Sequence, residues 1–455
     1  MSGAGLMGQR VKVRIQRSGL ALLLTLLIVV VGWYVWKQQR GNSFPEVKNL
    51  NIVVIVIDSL RADRLSFYGY SKETAPFLSS LARRSVLFER ALSASSTTAP
   101  ATASIFTGVH PSEHGIITGF IANQKLSKER QGITLNRIPA ELKTLGEVFK
   151  AAGYRTYSLA DNLNISVEMG YSAGFDKFET MRYKTAAAMN EILRNWQPEI
   201  DSGGKYFMYL HYMDPHTPYH RRSPWFEKTG DKQQRIASAY DSEIRYLDEH
   251  LRQMFELYHW QENALVVVLA DHGEEFLDHG GMGHGKTLYR EVLHVPLFFS
   301  HPDLSTGRRV ADYVTSMDLL PTLAGLLDLP VETSWRGRSL EPLLDGSSLP
   351  DRDLFAELLR RPEHSRGAAR SVVSGQWQLI DNQPKSGEPY GELFDLQSDF
   401  SQRHDLIQAE SSRAAQLKKS LGKFIEGRLQ LQQEQIQVDV DQETLRQLRT
   451  LGYLE

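Results

Sequence analysis

No cysteine occurs anywhere in the 455 residues. Disulfides, thiolate metal sites and a cysteine nucleophile are excluded together. A dominant charge is missing too, with 52 lysines and arginines against 54 aspartates and glutamates and a formal net charge of −2. No basic run stands outside the N-terminal tail, so the cationic footprint of a nucleic-acid binder is absent. Long charge-free apolar runs are scarce. One stretch, Gly19 to Trp36, has no charge over 18 residues, about the minimum for crossing a bilayer core.

Arg10, Lys12, Arg14 and Arg17 precede that run, and Trp33, Tyr34 and Trp36 cluster at its far end. The positive-inside bias and the aromatic belt place residues 1–18 in the cytoplasm and everything after residue 36 outside it. No small-x-small cleavage site follows, so the run reads as a single-pass anchor in the cytoplasmic membrane rather than a signal peptide. Residues 37–48, polar and carrying Gly41 and Pro45, read as a tether.

The chain is organised around Leu265 to Gly285, LVVVLADHGEEFLDHGGMGHG. Its β-branched start reads as a fully buried strand. Asp271 and His272 end that strand at the carboxyl edge, where open α/β sheets place their ligands. His279 and His284 share the glycine-rich loop, a density of ligand types that suits a metal site. Two more strand-like runs end in the same way: LNIVVIVI before Asp58-Ser59, and YFMYLHY, which carries His211 and runs on to Asp214 and His216. Between them lies SASSTTAPATASIFTG, residues 93–108. Pro100 suits the first turn of a helix that stops at Gly108. Thr97 and Thr98 then stand at a helix N-terminus that favours an anion, although capping is the commoner task of a threonine there.

Helices are expected over 76–84, 140–152, 184–196, 236–258 and 318–327, and strands over 155–160 and 295–299. This alternation argues an α/β fold, a doubly wound, mostly parallel sheet flanked by helices over residues 49–350. Residues 351–455 read as a small antiparallel-sheet subdomain with strand-like pieces at 353–356, 371–373 and 378–380. A long helix is expected over Ser411 to Gln435. A hydroxyl held near carboxylates and imidazole at three sheet edges suits a metal-activated nucleophile. No Gly-x-Ser-x-Gly elbow supports a serine triad.

The pieces NIVVIVIDSLRADRLSFYGY, TAPATASIFTG, HYMDPHTPY, YDSEIRYLD, ADHGEEFLDHGGMGHGKTLYREVLHVPL, SMDLLPTLAGLLDLP and ELFDLQSDFSQRHDL, in this order, resemble the sulfatase family of the alkaline phosphatase superfamily. The resemblance covers roughly residues 49–455. It implies an ester hydrolase or group transferase with Thr98 in the slot of the sulfatase formylglycine, Ala101 in the serine slot and Thr102 in the arginine slot. Without cysteine the usual formylglycine conversion cannot occur. A threonine there resembles the phosphoethanolamine and phosphoglycerol transferases of the superfamily, which are membrane-anchored and work outside the cytoplasm. His284, thirteen residues after Asp271, matches their His-Gly motif.

The expected roles follow. Thr98 is the nucleophile, and His216 and His284 bind the transferring group or protonate the leaving group. Asp58, Thr98, Asp271 and His272 hold a divalent metal, with zinc or manganese favoured over calcium because carboxylates are few and an imidazole is present. His211 is a supporting or core histidine, His279 a solvated loop residue, Lys286 a residue that neutralises phosphate charge or is merely solvated, and Arg61 and Asp63 are structural. The substrate is a phosphate or sulfate ester, a lipid head group among the options. A sulfuric-ester hydrolase working without formylglycine, and a degenerate membrane-anchored binding protein, are the alternatives.

Overall fold

The computed structural model describes residues 44–119, 133–360, 367–428, 430–431 and 434–438. The expected anchor over 19–36, the tail before it and residues 37–43 of the tether lie outside the described residues. Among the described residues, no helix is long and apolar enough to cross a membrane.

The elements are β1 (Asn51–Ile57), α1 (Pro76–Ala82), β2 (Val86–Leu92), α2 (Thr98–Thr107), β3 (Ile133–Arg137), α3 (Leu145–Ala151), β4 (Arg155–Ala160), β5 (Lys177–Thr180), α4 (Ala186–Asp201), β6 (Tyr206–Tyr212), α5 (Lys232–Tyr258), β7 (Ala264–Ala270), β8 (Leu297–Ser300), β9 (Arg308–Thr315) and α6 (Leu319–Leu326). A second group comprises β10 (Leu354–Leu358), β11 (Ala368–Ser374), β12 (Trp377–Gln383), β13 (Tyr390–Asp395), α7 (Ser411–Glu426) and β14 (Glu434–Val438). Shorter turns and bridges connect them.

One central sheet runs β2–β8–β7–β1–β6–β4–β5, with β9 also paired to β2. The pairs β7–β1, β1–β6, β6–β4, β4–β5 and β9–β2 are parallel. All seven residues of β6 and of β7 are buried, as helices on both faces of a parallel sheet require. Each fully buried Val, Leu or Ile contributes about 1.5–3 kcal/mol relative to exposure, which is why these strands read as unbroken apolar runs. The expected strand over 295–299 is split. Pro296 lacks an N–H, so His294–Val295 and β8 form separately, and both run antiparallel to β2, with β8 antiparallel to β7 as well.

Helix starts follow capping chemistry. The expected helix from Ala140 begins instead at Leu145, because Thr144 and Glu147 form a reciprocal capping box that marks a helix start. In α5 the Asp231 carboxylate accepts Gln234 N–H at 2.9 Å and His259 ends the helix in the left-handed region. The helix expected over Ser411–Gln435 stops at Glu426 with Gly427 as its cap, and Glu434–Val438 pairs antiparallel with β3 instead.

The strands β10–β11–β12–β13 form an antiparallel sheet. One face buries Val372, Leu379 and Leu393 under Ala414, Leu417 and Leu421 of α7. The other packs Val373, Ile380 and Phe394 against Leu288, Val292 and Leu293, which follow the glycine-rich loop. The period-2 alternation of the strands thus joins the smaller sheet to the loop that carries the candidate site.

Candidate active site

Parallel strands deliver their last residues to one edge of the sheet. In β1 the pairing Val56↔His211 and Ile57↔Ala270 brings Asp58, His211 and Asp271 together. Asp58 N–H donates to Tyr212 O at 2.9 Å, and Ser59 then turns with φ 59, a left-handed conformation uncommon outside glycine and asparagine. The turn leaves Ser59 Oγ donating to Asp58 Oδ1 at 2.9 Å and Ser59 N–H to Asp271 Oδ1 at 3.3 Å.

Asp58, Asp271, His211 and His272 are fully buried. Asp58 Oδ2 accepts from Asn162 Nδ2 at 2.9 Å and lies 3.1 Å from His211 Nε2. Asp271 Oδ1 accepts His272 N–H at 2.8 Å, whereas its Oδ2 has no hydrogen-bond partner. His272 Nδ1 lies 2.8 Å from Gly273 O, so that nitrogen carries the proton and Nε2 presents a lone pair. That lone pair is 3.6 Å from Asp271 Oδ2, 3.8 Å from Asp58 Oδ1 and 3.2 Å from Thr98 Oγ1.

Thr98 is the first residue of α2, and Thr97, extended at φ −143, is its N-cap without a side-chain cap bond. Thr98 therefore does not act as a cap: its hydroxyl donates toward Asp58 Oδ2 at 3.3 Å. The Thr97 hydroxyl points elsewhere, 3.4 Å from Ser95 Oγ. In the slot of the sulfatase arginine, Thr102 donates to Thr98 O at 2.7 Å and meets Tyr171 OH at 2.9 Å, so it serves the helix rather than the site.

His216 and His284 complete a row of imidazoles. The ring of His284 lies 4.4 Å from that of His272 and 5.1 Å from that of His216. His216 Nδ1 is fixed on Thr217 O at 2.6 Å and His284 Nδ1 on Glu274 Oε1 at 3.0 Å. Thr98, His216, His284, Asp58, Asp271 and His272 thus all lie in one cluster at the carboxyl edge.

Electrostatics divides the groups. Burial works against the Asp58 charge, but the His211 hydrogen bond, helped by the neighbouring imidazoles of His216, His272 and His211, outweighs it and holds the carboxyl well below its usual range. Burial, then the neighbouring Asp58 charge, pushes Asp271 up to about 8. Two adjacent carboxylates in one buried site cannot both ionise cheaply. Burial and the His284 charge lower His272 to about 4, leaving it neutral, and burial lowers His216. Burial also opposes the His284 charge, yet the Glu274 charge and hydrogen bond prevail and raise it.

A cation fits this cluster. One ligand atom each of Asp58, His211 and Asp271 lies within 4.8 Å of the others, all buried, and the orphaned Asp271 Oδ2 lacks a partner. His211 is less suited to ligation than His272. The Tyr209 hydroxyl meets His211 Nδ1 at 3.1 Å and, as donor, leaves His211 Nε2–H to donate to Asp58, so its lone pairs are used.

One residue carries another role than expected. His279 is not a solvated loop residue: it meets Glu291 at 2.7 Å, stacks on Tyr289 at 3.8 Å and reaches Gln402 O at 2.9 Å, tying the loop to the smaller subdomain. Asp214 caps α4 through Ala186 N–H at 3.1 Å. Arg61 is buried between Asp63 and Asp278 and bonds Glu274 O at 2.9 Å, a structural position. Sequence reasoning missed Asn162 and Glu274. Asn162 follows β4 by two residues, where polar residues after a buried strand were the available signal. Glu274 lies within the organising stretch, and its acid beside two histidines could have drawn notice.

Comparison with known proteins gives the family. A profile described as Sulfatase matches residues 50–329, and one described as N-sulphoglucosamine sulphohydrolase, C-terminal, matches residues 278–430. The chain belongs to the sulfatase family. It is 24% identical to an ulvan-active sulfatase of Formosa agariphila over 68% of this chain and 67% of that one. It is 27% identical to YhbX of Escherichia coli, a provisionally assigned transferase, over 56% of this chain and 44% of that one. The phosphonate monoester hydrolase of Agrobacterium radiobacter shares the fold, with TM-score 0.67 at 16% identity over 83% of this chain and 95% of that one. The protein is accordingly an enzyme with a mixed α/β sulfatase fold.

Proposed function

We propose that the protein is a metal-dependent hydrolase that cleaves a sulfate or phosphate ester through a covalent ester on Thr98. The observation that carries this reading is the Thr98 hydroxyl, first in α2, within 3.2 Å of His272 Nε2 and 3.3 Å of Asp58 Oδ2. Asp58, Asp271, His272 and the Thr98 hydroxyl would hold one divalent cation, with zinc or manganese favoured by the imidazole and the short supply of carboxylates. Such an ion, when bound, lowers the pKa of a hydroxyl it touches and offsets charge on the ester.

The chain's own groups do the rest. The amides and dipole at the start of α2 favour the incoming anion. Thr98 Oγ1, which would lose its proton to water with a cation bound, forms a bond to sulfur or phosphorus as the ester oxygen leaves, and His284, whose charged form Glu274 favours, gives that oxygen a proton. Water then attacks the Thr98 ester, gives a proton back to His284, releases the inorganic acid and frees Thr98 Oγ1. His216, whose ring lies 5.1 Å from that of His284, positions the transferring group.

A second reading replaces water with an alcohol acceptor. The threonine in the nucleophile slot and the likeness to YhbX favour it. Intact-mass analysis of rapidly quenched protein tests the covalent step: an adduct of one SO3 or PO3H unit on Thr98 is expected with an aryl ester. Acceptors such as glycerol then decide between hydrolase and transferase by product.

Residues 19–36 are proposed to anchor the enzyme in the cytoplasmic membrane with the catalytic domain outside, supported by the flanking charge asymmetry. Protease added to intact spheroplasts should digest the domain; full protection would overturn this topology.

A further inference from the structure

The chain enters the catalytic domain at the edge of the central sheet opposite the candidate site. Val47 is 1% exposed and belongs to the same core as the strands. The residues around it are pinned one by one. Phe44 N–H donates to Asp345 Oδ1 at 2.7 Å, and the Phe44 ring lies 5.6 Å from that of His301. His301 Nε2–H donates to Glu46 O at 3.1 Å, and Lys205 Nζ donates to Lys48 O at 2.6 Å. Lys48 also pairs with Asp328, which follows α6.

Register identifies that edge. Lys205 directly precedes β6, and Tyr206 N–H donates to Asn51 Oδ1 at 3.2 Å, where β1 begins. His301 directly follows β8, which runs antiparallel to β7, so it too reaches the amino edge of the parallel strands. Asp58, Asp271 and His272 stand past the other ends of β1 and β7. Asn51 to Asp58 is seven residues of extended chain, about 23 Å at the rise of a parallel strand.

A membrane anchor upstream therefore holds the domain by its far side. Trp36, the last residue of the expected anchor, stands eight residues before Phe44. Fully stretched, eight residues reach at most about 29 Å, and a random coil of that length spans about 16 Å. Turning the site toward the bilayer lifts the pinned segment about 23 Å or more above it. That is near the stretched limit and beyond the coil span, whereas an outward-facing site needs no such extension.

We propose, on the anchor reading of residues 19–36, that the site opens away from the bilayer and that the ester it cleaves is borne by a water-soluble molecule, not by a lipid head group of the anchoring membrane. A linker too short to span two sites brings their effective concentration near zero. Head groups of the enzyme's own bilayer are thus passed over, and soluble phosphate or sulfate esters reach the carboxyl edge from the aqueous side.

The test uses the full-length protein in lipid nanodiscs. The chain has no cysteine, so a single introduced thiol carries a fluorophore at one known place. Asn49→Cys labels the pinned side, and Leu277→Cys, 42% exposed in the loop between His272 and His284, labels the site side. With a quencher on the lipid head groups, the Asn49→Cys label should be quenched strongly and the Leu277→Cys label weakly. A further variant carries about twenty glycine and serine residues after Gly41, which extends the coil span to about 30 Å. It should cleave a coumarin ester tethered to a lipid of the disc about tenfold faster than the native-length protein does. Both should cleave soluble 4-methylumbelliferyl phosphate or sulfate equally. Equal or reversed quenching overturns the proposal. So does a lipid-borne rate that the longer linker leaves unchanged while the soluble ester is cleaved. A protein that does not co-elute with the discs overturns the anchor reading and this proposal with it. Loaded discs that cleave neither ester sink the Thr98 reading instead, and the quenching contrast then decides which way the site faces.

Discussion

Replacing Thr98 with alanine separates chemistry from stability by several orders of magnitude. Thr98 is 5% exposed and its hydroxyl meets Asp58 Oδ2 at 3.3 Å and His272 Nε2 at 3.2 Å. Removing it does not strand the Asp58 charge, because Asn162 and His211 still face Oδ2 at 2.9 and 3.1 Å. The lost hydrogen bond costs about 1 kcal/mol, and the better helix propensity of alanine returns up to ~0.7 kcal/mol. Stability should therefore change by about 1 kcal/mol or less, which moves the melting midpoint by roughly 2 °C. Loss of a nucleophile, by contrast, should lower kcat at least about 10³-fold. The assay is turnover of aryl sulfates and aryl phosphates together with thermal melting. Thr98→Ser should retain partial turnover and the covalent adduct, and Thr97→Ala, whose hydroxyl faces Ser95, should be mild. Near wild-type turnover by Thr98→Ala with an inactive Thr97→Ala would move the nucleophile by one residue. Activity in both would refute the covalent mechanism.

Two further outcomes are expected. Asp271→Asn keeps an oxygen to accept the His272 and Ser59 N–H groups, so the fold should survive while bound zinc or manganese, measured by elemental analysis, falls about tenfold or more with activity; calcium at full occupancy in the wild type would count against the ligand assignment. Asp161 tests linkage at a carboxyl that is not itself a proposed ligand: burial raises it to about 8, although Lys184 N–H opposes this at 2.8 Å. A folded pKa above the unfolded value means stability is fully present below about 4 and is lost as pH rises toward about 8. Asp161→Asn should remove that loss, so its melting-temperature advantage over wild type should widen from pH 4 to 8; a constant difference across that range would refute the shift.

The sheet was legible where strands are buried on both faces. The expected runs LNIVVIVI and LVVVLA match β1 and β7 to within a residue, because a parallel strand covered by helices has no solvent face to break its apolar run. Helix ends were legible only where caps were read. Gly108, at φ 68, stops α2 as expected, whereas Thr144 and Glu147 shorten α3 and Gly427 shortens α7. Asn162 was hidden because RTYSLA in β4 carries mixed polarity, and because its partner Asp58 is 104 residues away and two strands across the sheet. His279 was hidden for a similar reason. Its partner Gln402 O belongs to the smaller subdomain, 123 residues on, and no local pattern announces that contact.

The order β7–β1–β6–β4 explains why so few residues suffice for the candidate site. In a parallel sheet every strand runs toward the same edge, so polar residues at or just after the strand ends become neighbours without any local sequence proximity. Register sharpens this. Val56 and Ala160 both pair with His211, and Ile57 pairs with Ala270, which places Asp58 between Asp271 on one side and His211 with Asn162 on the other. The two sides are chemically unequal. Donors from His211 and Asn162 stabilise the charge on Asp58, while Asp271 Oδ2 receives no donor and the carboxyl rises to about 8. A cation is the group that satisfies both carboxylates at once, since it removes their repulsion and fills the vacant Asp271 lone pairs. The asymmetry therefore points to the Asp271–His272 side as the open half of the proposed metal site, and the Thr98 hydroxyl, 3.2 Å from His272 Nε2, stands on that half.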